Sequence, residues 1–167
     1  MTSHKRHCAS RTSNRGFSLI ELLIVVAIIL VIAAIAIPNF MRSRIAANEA
    51  ASIQNMRNIV TANVVYSSTY GIGYAQTLNA LGPAGASLPS STNAALIDDV
   101  LASGTKSGYS YVYLPAAAVN GVTPTYTLNA NPVTPGVTGY RYFFTDDSGV
   151  IRQNTTTVAT SSDVSIE

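Results

Sequence analysis

The sequence predicts an α+β chain: a long N-terminal α-helix, membrane-spanning in its first half and amphipathic in its second, packed on a small antiparallel β-sheet head. Three observations carry that expectation. Phe17 to Ile37 is a run of 21 residues whose only polar members are Ser18 and Glu21. Arg42 to Tyr66 contains neither Gly nor Pro, and its apolar residues recur at helical steps. Beyond Ser107 come short alternating segments separated by turn residues.

The first element follows from length. A bilayer core needs about 20 apolar residues in a helix, and this run supplies them. Before it, Lys5, Arg6, Arg11 and Arg15 put four positive charges into a stretch of 16 residues without an acid. The remainder carries six basic residues against eight acidic ones, a net of −2. A basic head before an apolar segment marks the side that stays cytoplasmic. An ordinary secretory signal has an apolar core of about 7–15 residues with its cleavage site behind it. Here the run is longer, and the polar-to-apolar junction, Gly16-Phe17, lies ahead of it. Cleavage there removes the charged leader and keeps the apolar helix.

Gly16-Phe17-Ser18-Leu19-Ile20-Glu21, the apolar run and Pro38 together resemble the class III signal of type IV pilins and type II secretion pseudopilins. The resemblance is contiguous from about Arg15 to Phe40. It implies a pilin fold with a cleaved leader at 1–16 and a long helix at 17–66, of which 17–37 is the transmembrane and polymerisation segment. The head, 67–167, then holds an αβ-loop and the sheet. It implies a prepilin peptidase that cuts between Gly16 and Phe17 and methylates the Phe17 amine. Glu21 matches the family's assembly glutamate, paired with a neighbouring subunit's Phe17 amine, and Pro38 its helix-kinking proline. Leu30 stands where many members carry glycine, which makes that turn a better helix former.

The physical case for Glu21 stands beside the resemblance. At about 1.5 Å per residue it lies roughly 6 Å along the helix from Phe17, within reach of headgroup water. In a stack of helices the same carboxylate is buried, at a cost of several kcal/mol unless a cation meets it. The amine exposed by cleavage is such a cation.

The second half of the helix carries Ile45, Ser52/Ile53, Met56, Val60 and Val64 as the stripe expected to face the head, with Arg42, Arg44, Glu49, Gln54 and Arg57 mostly elsewhere. Pro38 lacks an N–H and is expected to bend or loosen the helix. In the head, Ala94–Ser103 reads as a short helix capped by Thr92 or Asn93 and ended by Gly104. Strands are expected at Tyr109–Leu114, Thr125–Asn129, Tyr140–Thr145 and Val150–Gln153, with Asp146–Gly149 as a hairpin turn. The stretches GTKSGYSYVY and YRYFFTDDSGVIR are also similar to head segments of bacterial pilin-like proteins.

Several chemistries are excluded from a chain starting at Phe17. His4, His7 and Cys8 all belong to the leader, and there is no Trp. That removes Cys or His catalysis, a zinc site of the usual N/S type, and any disulfide. Asp98-Asp99 and Asp146-Asp147 are the acidic pairs. Two adjacent carboxylates are too few for a calcium site that takes six to eight oxygens, so Asp146-Asp147 reads as turn chemistry and Asp98-Asp99 as a solvated helix face. Tyr109, Tyr111, Tyr113, Tyr140 and Tyr142 alternate, which reads as sheet packing with hydroxyls at the edge. With no basic cluster beyond Arg42 and Arg44, nucleic acid is not an expected partner.

The expectation is a structural, non-enzymatic filament subunit with no cofactor and no metal. Its partners are copies of itself in a helical filament, a prepilin peptidase, the inner-membrane assembly machinery and the membrane. It spans the inner membrane once before assembly, leader cytoplasmic and head periplasmic, and ends in an extracellular or periplasmic filament. A secretion pseudopilin is the alternative within the class. A membrane-anchored binding or enzymatic domain that borrows the signal is the alternative outside it.

Overall fold

The computed structural model describes residues 16–166. Nearly all of the expected leader, residues 1–15, lies outside the described residues. The chain divides into two compact units, one ending at Asn39 and the other starting at Phe40. Each is taken by itself below.

Helix α1 spans Leu19–Tyr70, four residues past the expected end, with Pro38 inside it. Gly71 follows at φ 67, a conformation that favours glycine and stops helix growth. The first unit is the apolar part of α1. Every residue from Phe17 to Ile37 is exposed except half-buried Ala33.

In the second unit, six strands among the described residues form one antiparallel meander in sequence order: β1 Thr105–Lys106, β2 Tyr109–Pro115, β3 Tyr126–Pro132, β4 Tyr142–Asp146, β5 Arg152–Asn154 and β6 Val164–Ser165. The four expected strands match β2 to β5 with shifted ends; β1 and β6 are two residues each and carry too little pattern to be read. The register pairs Tyr111 with Ala130 and Ala130 with Phe143, so one face of the sheet is lined by large side chains. Met56, Ile59, Ala62 and Tyr66 of α1 join Tyr109, Tyr111, Leu128 and Phe143 in a single buried cluster. Closing α1 onto the inner sheet face makes the core.

The stripe needs correction. Ile45, Ser52 and Met56 are buried and Ile53 is partly so, but Val60 is half-buried and Val64 exposed. Ile59, Ala62, Asn63 and Tyr66 are buried in their place, and so is Glu49. Apolar periodicity tracked the valines. The buried face instead includes Glu49, Asn55 and Asn63, whose polarity disguised it.

The short helix is also corrected. α2 is only Asp99–Ala102, with Asp98 as its N-cap, accepting from Leu101 N at 3.0 Å. Thr92 and Asn93 do not cap it. The backbone N–H groups of Ala94 and Leu96 donate instead to the carbonyls of Ala80 and Leu81, both at 2.8 Å, and Ala95 has φ 56, outside the helical region. Those donors are satisfied by a 3-10 turn, Leu78–Leu81, that local sequence did not announce. Asp98 also pairs with Lys106 Nζ at 2.7 Å, so it is a cap and an ion-pair partner and not merely a solvated charge.

Candidate functional site: the start of the apolar helix

Gly16, Phe17 and Ser18 precede α1, and Phe17 is 84% exposed. Among the described residues, nothing lies within 4 Å of where a Gly16 side chain would start. Ser18 is the residue before the helix, and Glu21 is the third residue within it. Glu21 Oε2 accepts from the Ser18 backbone N–H at 2.9 Å, and Leu22 N–H donates to Ser18 O at 3.2 Å. Ser-x-x-Glu with the carboxylate reaching back to the cap N–H is half of a capping box. A negative group in the first turn also meets the positive end of the helix dipole. Ser18-Leu19-Ile20-Glu21 also spells this cap in the sequence itself, beside the role expected of Glu21 toward a neighbouring amine.

The structure therefore brings Gly16, Phe17, Ser18 and Glu21 into one turn, while Pro38 lies inside α1 further along. Glu21 Oε1 accepts no hydrogen bond among the described residues, so the cap leaves one carboxylate oxygen for a second donor. Behind this turn the apolar helix has an 18-residue window of mean hydropathy 3.3, none of it buried.

The head carries polar residues of a different kind. Glu49 is buried and accepts from Tyr140 N at 2.8 Å, Arg141 N at 3.2 Å and Arg141 Nε at 2.7 Å. Arg141 goes on to Gln153 Oε1 at 2.8 Å and lies over the Phe143 ring. Asn63, fully buried, accepts from Ala75 N at 3.2 Å and lies 3.0 Å from the Tyr113 hydroxyl, which is also 2.9 Å from Ala75 O. Asn55 Nδ2 donates to the Tyr111 hydroxyl at 3.0 Å. Burial raises the hydroxyl pKa of Tyr111 and Tyr113 above the usual 10.0. Tyr111 and Tyr113 of β2 thus point their hydroxyls inward at α1, which corrects for these two the expectation that the hydroxyls sit at the sheet edge, while the Tyr109 hydroxyl donates to Arg141 O at 2.9 Å. Tyr140 lies outside the strands and is exposed.

Asp146 Oδ1 accepts from the Ser148 backbone N–H at 3.0 Å and from the Ser148 hydroxyl, the local bonding that a turn aspartate makes. Among the described residues no three His, Cys, Asp or Glu gather as a metal would need. The C-terminal loop is closed by hydrogen bonds: Asp163 accepts from Asn154 Nδ2 at 2.9 Å and from Thr160 N at 2.7 Å.

With this geometry in view, the relatives are informative. Residues 11–37 match the family model of the prokaryotic N-terminal methylation motif. A type IV major pilin protein, PilA, of Myxococcus xanthus (strain DK1622) is 51% identical over 49 residues, 29% of this chain. The chain spans only 22% of the length of that curated relative. No solved structure matches it. The start of this chain is thus similar to the prokaryotic N-terminal methylation motif and to a stretch of a type IV major pilin, with an exposed apolar helix behind the motif.

Proposed function

We propose that the chain is the structural subunit of a type IV pilus-like filament. The observation that carries this is the pairing of a methylation-motif match with a helix whose apolar length is uncovered among the described residues. In the membrane, lipid covers that helix. In a filament, the helices of neighbouring copies replace the lipid, which removes the need for a hydrophobic head surface of comparable size.

Processing sets the order of events. A peptidase cuts between Gly16 and Phe17 and methylates the new amine. Glycine at that position lets the enzyme approach the backbone without a side chain in the way. The freed Phe17 amine of one copy then meets the Glu21 carboxylate of a neighbour, whose Oε2 remains on the Ser18 N–H. An uncut chain has no such amine, so its Glu21 would enter the helix core unpaired. Pro38, which lacks an N–H, gives α1 a place to bend as the copies stack.

Mass spectrometry of sheared surface filaments tests the reading. The expected result is a subunit that begins at methylated Phe17, together with an uncut, membrane-held precursor from Gly16→Val. Glu21→Ala should be expressed, inserted and cleaved as usual while filaments become scarce. Filaments built of full-length precursor, or normal filament yield from Glu21→Ala, overturn it.

A further inference from the structure

We propose that residues 155–163, between β5 and β6, form a strap over a second apolar site on the outer face of the sheet, latched by the Asp163 carboxylate, and that the strap opens as a unit while the inner core stays closed.

The second site follows from the register. Ala130 pairs with Phe143, and both belong to the cluster buried against α1. Their chain neighbours Asn129 and Phe144 pair with each other, so they point to the opposite face. Phe144 is nonetheless only 8% exposed and stands outside that cluster. Val112, in the same row on β2, is 42% exposed. The cover over this row therefore reaches Phe144 and stops short of Val112. The strap carries the matching feature: Ala159 is 2% exposed between exposed Val158 and Thr160. Its carbonyl accepts from Asn129 Nδ2 at 2.8 Å, which puts Ala159 over the row of Asn129 and Phe144.

The latch lies at the end of the strap. β5 and β6 share two register pairs, Arg152 with Ser165 and Gln153 with Val164, so the strap leans on side chains for closure. Asp163 Oδ1 accepts from Asn154 Nδ2 at 2.9 Å, and its Oδ2 from Thr160 N at 2.7 Å and the Thr160 hydroxyl at 3.1 Å. Arg152 Nη1 donates to the Asp163 carbonyl at 3.0 Å. At the other end, Asn154 Oδ1 accepts from Thr156 N and Thr157 N at 2.9 and 3.2 Å. Both carboxylate oxygens of Asp163 thus face donors, a set that suits a group with acceptors alone. Neutralising it puts a donor against a donor. The Thr160 N–H, then the Asn154 amide, hold the Asp163 carboxyl below the usual 3.8, and Arg152 of β5 is the charged group that adds to them. The hold on the strap is therefore present above the usual value and is lost as pH falls through the lowered one.

The strap and the core differ in how they are held. The strap's remaining bonds are local and exposed, whereas Leu128, Ala130 and Phe143 on the inner face are fully buried. Exposed bonds with few buried contacts mark the segments that open at the least cost. Opening would leave Phe144 uncovered in the row of Val112, an apolar strip on a face that the closed strap keeps polar.

Amide hydrogen exchange on the full chain in detergent at neutral pH tests this, with Asp163→Asn standing in for the protonated carboxyl. The expected result is exchange over 155–163 about tenfold faster than in the parent chain, with β2 and β3 unchanged. Adding Asn154→Asp to Asp163→Asn restores a match of donor and acceptor and should recover most of the protection. Ala159→Cys in a Cys8→Ser chain reads the uncovering: a maleimide should label it slowly, and several times faster once Asp163→Asn is added. Unchanged exchange in Asp163→Asn, or a rise that Asn154→Asp does not reduce, overturns the latch. Faster exchange of β2 and β3 in step with the loop overturns the independent strap. Labelling of Ala159→Cys as fast as that of Val158→Cys, with Asp163 intact, overturns the cover.

Discussion

From Leu19 to Ile37, α1 leaves every residue exposed apart from half-buried Ala33; from Ile45 to Tyr66, the same helix buries nine residues on one side. The polar residues differ in the opposite sense. The apolar part holds Glu21, capped but exposed, whereas the head part buries Glu49, Asn55 and Asn63 and satisfies each of them within the chain. The contrast shows that a helix declares its use by what it leaves uncovered. The head part is finished inside one chain, because its polar groups have found donors and acceptors there. The apolar part is left uncovered among the described residues.

The largest expected effect comes from breaking the finished part. Met56 is fully buried at the helix–sheet seam, so Met56→Asp should destabilise the head by roughly 4 kcal/mol or more, unfolding it while leaving membrane retention intact. Tyrosine circular dichroism of the full chain in detergent, beside a fractionation assay, reads both quantities. A native melt from Met56→Asp would mean that the seam is wrongly placed.

A matched pair sharpens the comparison. Ile59 is fully buried and Ile28 is 55% exposed. Ile59→Ala should cost about 3 kcal/mol through lost burial and a cavity. Ile28→Ala should change the head's melt by less than about 0.5 kcal/mol. Equal costs would show that the two parts of α1 are not distinct in the way described.

Glu49→Gln should cost about 2 kcal/mol, since it weakens charge-assisted bonds to a partly exposed arginine and two backbone donors. Arg141→Lys, which keeps the charge and loses the planar fork, should recover little of the Glu49–Arg141 geometry. Denaturant midpoints at constant slope are the measurement.

Tyr113→Phe should cost about 1 kcal/mol, the ordinary worth of one buried hydrogen bond. The tyrosines also set an alkaline limit. Burial holds the Tyr111 and Tyr113 hydroxyls above the usual 10.0, so their neutral forms stabilise the fold. That contribution is complete below the unfolded value and is lost as pH rises through and beyond 10. Head unfolding should then coincide with the rise of tyrosinate absorbance, and Tyr113→Phe should soften the dependence. Tyrosinate appearing well before unfolding would show these hydroxyls to be solvent-open.

What the sequence determined by itself is local and one-dimensional. The Gly16-Phe17 junction, the length of the apolar run, the isolation of Glu21 and the main strands β2 to β5 all rest on spacing and polarity, which need no partner to be read. The Ser18–Glu21 cap is equally local, since the Ser-x-x-Glu spacing alone spells it. Tertiary structure alone decided the rest. Glu49, Asn55 and Asn63 are polar residues on a buried face, and only contacts with β2 and with residues 75, 140 and 141 make that burial favourable. The stripe therefore lies over Ile59, Ala62 and Tyr66, not over Val60 and Val64. Ala94–Ile97 has helical composition, but carbonyls of the turn at Leu78–Leu81 and of Gly82 satisfy its N–H groups first. A buried polar group is stable only if its partner arrives, and that partner lies up to 92 residues away in the chain, beyond the reach of any periodicity.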